Sequence, residues 1–359
     1  MKLKIFSDQS YLPEGIGHVA MLYPFWGKNP EDDKDLQSGR YDHYAEIGHS
    51  FFEMTSLSEA DIAVLPTPWK FVRDNEIAHN LAIQFEEKAT QAGKKVVVFF
   101  AGDWLEEVPL KNSIIFRTSF FRSKRKPNEF AMPAWSQDFL EKYLNSQLIV
   151  RHKQAKPTVG FCGYAPPYGL SFSSRKLKEI IRCGASIVGI TRRFPSKSGH
   201  TSRARALYAL SKSPLVETNF SVRDHFAFAN GGSLLPGGQA NLAGQFRQEF
   251  MQNMVDSDYI LCTRGLGNYS LRLYEALSCG RIPVFIDTNC VLPYDFAIEW
   301  KKYCVWGDES ELPLIAQKVA EFHDKLSPQE FVDLQYECRK LWEQWLSPEA
   351  FFANLYRHF

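Results

Sequence analysis

Apolar runs and helically spaced apolar stripes alternate along most of the chain. Residues 95–100, KVVVFF, are apolar at five consecutive positions without alternation, which predicts a strand covered on both faces, as in a parallel sheet. Shorter runs at 3–6, 62–65 and 113–116 read as strands of the same kind, and FFEMT from Phe51 as a short helix or strand. Residues 75–93 place Ala78, Leu81, Ala82 and Phe85 on one face and end on Gly93, which predicts a helix. Residues 120–135 carry Arg122, Lys124, Arg125 and Lys126 and read as a solvated loop, with an acceptor-binding patch as the other reading.

Charged and Pro residues at 154–157 interrupt this order, and the pattern then starts afresh. A strand at 158–162 ending in Gly163, a helix at 174–183, a strand at 187–189 and a helix capped by Thr201 or Ser202 are expected in turn. Residues 211–245, with GGSLLPGGQANLAG, are too Gly-rich for a packed element and read as a loop. Then come a strand at 259–263, a turn at 264–270, a helix at 271–278 closed by Gly280 and a strand at 284–286, which is one βαβ unit. Helices at 312–325 and from 329, the latter with Leu334, Cys338, Leu341 and Trp345 on one face, precede a helical aromatic tail at 348–359. The expected fold class is α/β with two Rossmann-like domains, bounded 1–153 and 154–345, with 346–359 as a terminal helix.

The turn at 264–270 sits where such sheets hold ligands, because free N–H groups and the positive helix end point into the crevice. Arg264 adds a forked cation, Gly265 and Gly267 admit close backbone approach, Asn268 and Tyr269 complete the turn, and Ser270 can cap the helix or bond a phosphate oxygen. Arg272 and Glu275 follow on the helix, and a carboxylate there can accept both hydroxyls of a ribose. Phosphate with ribose describes a nucleotide; the plainer reading is a Gly-containing loop with a surface Arg–Glu pair. Gly163 repeats the strand–Gly order. Arg203 and Arg205, near the start of a helix, would be better tolerated beside an anion, or are ordinary surface arginines. In the first half Asp103 follows KVVVFF at the carboxyl end of its strand, behind Gly102 and beside Trp104, either as a base or as the cap of a following turn or helix near Leu105.

Composition narrows the field. A 359-residue chain with 45% hydrophobic residues and net charge +1 is a well-packed globular protein and no nucleic-acid polyelectrolyte binder. Seven cysteines show no CxxC or Cys/His ligand spacing, so reduced thiols and no structural zinc are expected. No acidic pair stands at a strand end where it would hold Mg²⁺: Asp32 and Asp33 lie in a polar loop, and Asp256 and Asp258 precede their strand. No signal segment and no apolar run of membrane-spanning length is present, which suggests a cytoplasmic protein.

SDYILCTRG, YSLRLYEALSCGRIPVFI and LPYDFAIEWKKYCVW together resemble the C-terminal part of the exostosin family of glycosyltransferases. Thr263 stands where that pattern has Pro, Arg281 where it has Cys and Glu299 where it has Asp. The resemblance implies a GT-B arrangement with a central cleft, the tail crossing back to the first domain. It also implies an inverting transfer from a nucleotide-diphosphate sugar, most simply a UDP-sugar, to a glycan or lipid-linked acceptor. No separate cofactor or metal would then be needed, with Asp103 as the base and Arg264, helix-end N–H groups and Arg203 or Arg205 meeting the leaving-group charge. The other readings are a GDP-sugar enzyme such as a fucosyltransferase and a non-catalytic nucleotide- or glycan-binding member.

Overall fold

A computed structural model describes residues 2–32, 37–166, 198–223 and 240–359. The helix expected at 174–183, the strand at 187–189 and Asp33 lie outside the described residues. The chain divides into two compact units: residues 1–137, 290–297 and 343–359 form the first, residues 138–289 and 298–342 the second.

The first unit is built on a six-stranded parallel sheet in the order β2-β1-β3-β4-β5-β6. Its strands are β1 (Leu3–Phe6), β2 (Phe52–Met54), β3 (Ile62–Val64), β4 (Lys95–Phe100), β5 (Ser113–Arg117) and β6 (Glu129–Ala131). Helix α1 (Glu76–Gln91) is capped by Asn75, which accepts from the Ala78 N–H, and it buries Ala78, Ala82, Phe85 and Ala89 against Val96, Val98 and Phe100. Each such large apolar side chain contributes about 1.5–3 kcal/mol through burial. Gly93 leaves the helix at φ +70°, a left-handed turn that a Cβ would strain.

The basic stretch at 120–135 is a solvated loop in part: Arg122, Lys124 and Lys126 are exposed and Arg125 is half-buried. It contains β6, whose Glu129 forms a buried 2.7 Å ion pair with Arg117. Arg122 donates to the Cys290 carbonyl at 2.9 Å and Arg125 pairs with Asp295 at 2.7 Å, tying the returning segment 290–297 to β5 and β6. Helix α7 (Pro348–Ala353) completes this unit, with Phe351 edge-on to Phe116 at 5.6 Å and Phe352 stacked on Tyr44 at 4.3 Å.

The second unit carries a five-stranded parallel sheet in the order β11-β10-β9-β7-β8. Its strands are β7 (Thr158–Tyr164), β8 (Glu217–Arg223), β9 (Tyr259–Cys262), β10 (Ile282–Asp287) and β11 (Val305–Asp308). Its helices include α2 (Ser198–Lys212), α3 (Ala240–Val255), α4 (Leu271–Ser278), α5 (Ile315–Lys325) and α6 (Pro328–Leu341). Three sequence expectations change here. Residues 211–245 hold β8 and the first turn of α3, because ETNFSVR pairs along the whole of β7. Helix α2 already runs at Ser198, so Thr201 and Ser202 are interior rather than caps. The face read as Leu334, Cys338, Leu341 and Trp345 ends at Leu341, because a π-helical turn over Trp342–Leu346 breaks the i+4 spacing and buries Trp342 instead.

The first unit closes at Gln137, ahead of the composition change at 154. Residues between them are held by the second unit: Asp138 takes both terminal nitrogens of Arg339 at 2.7 Å, and Arg151 bonds Gln335 and Asp258. Arg281, buried at 1% exposure, donates to Gln335 Oε1 at 3.1 Å and to the Ile149 carbonyl, so the residue that departs from the family pattern fastens this strap. Among the described residues six cysteines are free and buried, and no helix is long and apolar enough to cross a membrane.

Candidate functional site

Numbered from β7, the second sheet has the order 2-1-3-4-5, whose crevice opens where neighbouring connections leave in opposite directions, between β7 and β9. The carboxyl end of β7 brings Cys162, Gly163 and Tyr164 to that crevice, and the turn 263–270 leads from β9 into α4 beside it.

Ser270 is the N-cap of α4, with φ −125° and ψ 110°, yet its side chain makes no cap bond. The residue is 6% exposed, and its Oγ is buried without a hydrogen-bond partner among the described residues. An N-cap hydroxyl ordinarily accepts from the first turn, and a buried hydroxyl left unpaired costs about 1–3 kcal/mol. A ligand oxygen at the helix end would recover that cost.

Three arginines stand on this turn and on the two helices that meet it. Arg272 donates Nη2 to the Cys162 carbonyl at 2.7 Å and lies over the Phe161 ring at 4.3 Å, while its Nε is buried without a partner among the described residues. Burial lowers the Arg272 pKa, and the Glu275 carboxylate opposes that shift. Arg203 donates to Thr263 Oγ1 at 3.0 Å, to the Tyr164 carbonyl at 2.8 Å and to the Arg264 carbonyl at 3.2 Å. Its pKa falls to about 9, first through burial and then through the Arg272 charge. Arg203 therefore braces the turn, and Thr263 supplies the acceptor for it that the Pro of the family pattern could not. Arg264, 6% exposed, donates Nη1 to Asn268 Oδ1 at 3.3 Å, and Thr288 donates to the same oxygen at 2.7 Å. Cations gathered in a poorly hydrated crevice raise one another's cost, which an anion relieves.

Gly163 lies at the end of β7 with φ +144°, and a Cβ there would stand 3.0 Å from Arg272 Nη2. It lets the guanidinium lie against the strand. Gly163→Ala should therefore lose about 1–3 kcal/mol of stability through backbone strain and displacement of Arg272, read by chemical denaturation. Stability equal to the parent would show that Arg272 has room to move. Gly265 is different: nothing stands within 4 Å of its Cβ position, so space alone does not demand glycine there. Instead Gly199 of α2 packs on the turn, its Cβ position 2.3 Å from the Gly265 carbonyl oxygen.

Glu275 is 5% exposed, so it is no surface partner of Arg272; its Oε1 lies 3.8 Å from Arg247 Nη1 on α3. Arg247 went unnoticed in the sequence because it stands 28 positions upstream with no motif around it. Gly267 is buried and Tyr269 half-buried in the turn. Arg205 is two positions beyond Arg203, about 200° around α2, and half-exposed, so it does not join the cluster. Asp258 is committed elsewhere, accepting from Arg151 and from the Thr158 N–H at 2.8 Å. Asp103 belongs to the first unit, two residues past Ala101 at the carboxyl end of β4. No helix follows it, which removes helix capping but not turn capping from its readings.

Two parallel-sheet Rossmann-like units, one with an arginine-lined helix end at its switch point, define the class as a two-unit α/β protein whose helix end is suited to an anion. Residues 208–321 match the Exostosin GT47 domain. Over 99 residues the chain is 29% identical to Exostosin-1 of Drosophila melanogaster, covering 28% of this chain and 12% of that protein. Over 66 residues it is 36% identical to probable glucuronosyltransferase GUT1 of Oryza sativa subsp. japonica and to probable beta-1,4-xylosyltransferase IRX10L of Arabidopsis thaliana, covering 18% of this chain and 16% of each. The chain thus spans a small fraction of the curated relatives it matches. The crystal structure of TarM aligns with 73% of this chain and 54% of that one, at 10% identity and a TM-score of 0.30. The matched segment, residues 208–321, is thus similar to the exostosin family of glycosyltransferases.

Proposed function

We propose that the protein transfers a sugar from a nucleotide-diphosphate sugar, most simply a UDP-sugar, to a hydroxyl acceptor with inversion and without a metal ion. The observation that carries this reading is the unpaired buried Ser270 hydroxyl at the N-terminus of α4, with Arg264 and Arg272 beside it. The diphosphate would lie against the first turn of α4, taking hydrogen bonds from Ser270 and the helix-end N–H groups. Glu275, one turn further along, would accept from the ribose hydroxyls, with Arg247 Nη1 3.8 Å from its Oε1. As the sugar leaves, charge grows on the diphosphate, and fixed guanidinium groups in a poorly hydrated site stabilise that charge more than they stabilise the ground state. The acceptor hydroxyl is deprotonated by Asp103 of the first unit. The similarity to a probable glucuronosyltransferase of rice and a probable xylosyltransferase of Arabidopsis supports glycosyl transfer in general.

A nucleotide panel in a thermal-shift assay, run with and without EDTA, tests the donor site. UDP should raise Tm more than GDP, EDTA should change neither the shift nor donor hydrolysis, and Glu275→Ala should weaken UDP binding by about 2 kcal/mol. A larger shift with GDP would point to a GDP-sugar enzyme. Parent-like UDP affinity in Glu275→Ala would remove the ribose assignment, and activity abolished by EDTA and restored by Mg²⁺ or Mn²⁺ would overturn the metal-free reading.

A further inference from the structure

The sheet of the first unit has the order 2-1-3-4-5-6, so its own switch point lies between β1 and β3. A cavity of about 400 Å³ opens there, at the carboxyl ends of the strands. Gly17 and His18 of the loop after β1, Pro68 and Phe71 after β3, and Phe99 and Ala101 at the end of β4 all line it. None of these residues falls within the segment that matches the exostosin domain, and Asp103 is not among the lining residues. We propose that this cavity binds one neutral saccharide residue, with its aromatic walls against the sugar faces and His18 accepting a hydrogen bond from a hydroxyl.

The size sets the first bound. About 400 Å³ is at the small end of ligand pockets, which suits one ring rather than an oligosaccharide. The walls set the second. Tyr23, Tyr41 and Trp135 are cavity residues that hold one another edge-on, at 5.5 Å and 5.8 Å between successive centroids, and Trp135 also leans on Phe352 at 5.4 Å. Rings braced in this way offer rigid apolar faces to C–H-rich surfaces at low entropic cost.

Polar groups decide between a sugar and a greasy guest. Tyr23 donates to Asp32 and accepts from Asn29 at 2.9 Å, and Arg40 Nη2 donates to the other Asp32 oxygen at 3.3 Å. A polar network held this firmly in a cavity wall is out of place against a purely apolar ligand. Among the described residues the charged lining groups are two carboxylates, Glu31 and Asp32, and two cations, Arg40 and Lys70, which balance in sign.

His18 is the directional group. Its Nε2 lies 2.9 Å from the Gly27 carbonyl, which can only accept, so Nε2 carries the proton and Nδ1 of the neutral ring is an acceptor. No hydrogen bond to Nδ1 is formed among the described residues. Burial pushes the His18 pKa below its usual range, against the pull of the Gly27 carbonyl and Asp32, so the ring is neutral at neutral pH. Edge contacts with Tyr23 at 5.4 Å and Trp26 at 5.3 Å fix its plane.

The guest's identity as the acceptor rests on the glycosyltransferase reading, whereas its binding does not. The test is ligand-observed NMR and tryptophan fluorescence on the full chain without nucleotide. The probes are methyl β-glycosides of glucose, galactose, xylose and N-acetylglucosamine, with methyl glucuronide and phenol for comparison. At least one neutral glycoside should bind with a Kd of about millimolar. Ala101→Phe, which fills the cavity mouth from an exposed position, should weaken that binding at least about tenfold while leaving the UDP-induced Tm shift unchanged. His18→Asn should weaken it as well, and covers the case in which Ala101→Phe alters the fold. No neutral glycoside binding, binding indifferent to both variants, or tighter binding of methyl glucuronide or phenol than of every neutral glycoside would each overturn the proposal. A lost UDP shift in the parent protein bears on the donor site alone.

Discussion

Asp103→Asn should lower turnover at least about 100-fold, with nucleotide affinity and Tm close to those of the parent. The substitution keeps the size and most of the hydrogen-bonding capacity of the side chain and removes its basicity. Its backbone approach is rigid: Thr118 Oγ1 accepts from the Gly102 N–H at 2.9 Å and donates to the Gly102 carbonyl at 2.8 Å, while Gly102 sits at φ +118°. One face of Trp104 is already taken by the Arg73 guanidinium, 3.5 Å from the ring centroid, which fixes the residue after Asp103 and leaves that face closed to a sugar. These contacts fix the backbone on either side of Asp103 just past the end of a parallel strand, and no helix follows it. Single-turnover assays with donor and acceptor would read the chemical step directly. If the Asn protein keeps most of its activity, the role passes to another group, and His18 of the neighbouring cavity is the next to substitute.

Arg264→Lys should reduce turnover by about 100-fold with a much smaller loss of nucleotide affinity. Lysine keeps the charge but not the planar fork through which Arg264 holds Asn268. Asn268 is itself fixed by Thr288 at the end of β10, so the turn is anchored from two strands. The arginine carbonyl accepts from Arg203, which ties the backbone at this position to α2 as well. An interaction that strengthens as the diphosphate gains charge shows in the rate constant more than in ground-state affinity. Comparing kcat with the UDP dissociation constant for the two proteins separates the cases. Equal turnover would make Arg264 a structural residue of the turn.

Local pattern is enough for elements whose signal is confined to their own residues. KVVVFF reads as a doubly covered parallel strand because both of its faces are apolar, and it lies inside a six-stranded parallel sheet. The β9–α4–β10 unit is legible because the strand, the Gly-containing turn and the helical stripe follow one another within thirty residues. Glycine at 93 and 280 marks helix ends with positive φ, a requirement that is also local. The resemblance to the exostosin family rests on the same compact stretch and its continuation to Trp306, all of which falls within residues 208–321.

Long-range pairing decided the rest. ETNFSVR carries a weak strand pattern and sits beside a Gly-rich stretch, so its membership of the sheet depends on β7 offering seven partners along its edge. Arg122 and Arg125 look like solvated cations until segment 290–297 brings the Cys290 carbonyl and Asp295 to them across about 170 positions of chain. Arg203 and Arg205 are alike in sequence, yet only the α2 face that meets Thr263 turns one of them into a brace for the candidate site. Sequence by itself determined the α/β class, the chemistry of the turn and the residue types at the helix end. Tertiary structure alone decided which of those side chains are spent on the protein and which are left for a ligand, because a hydrogen-bonding group is committed by the partner that folding places against it, and that partner is seldom a neighbour in the chain.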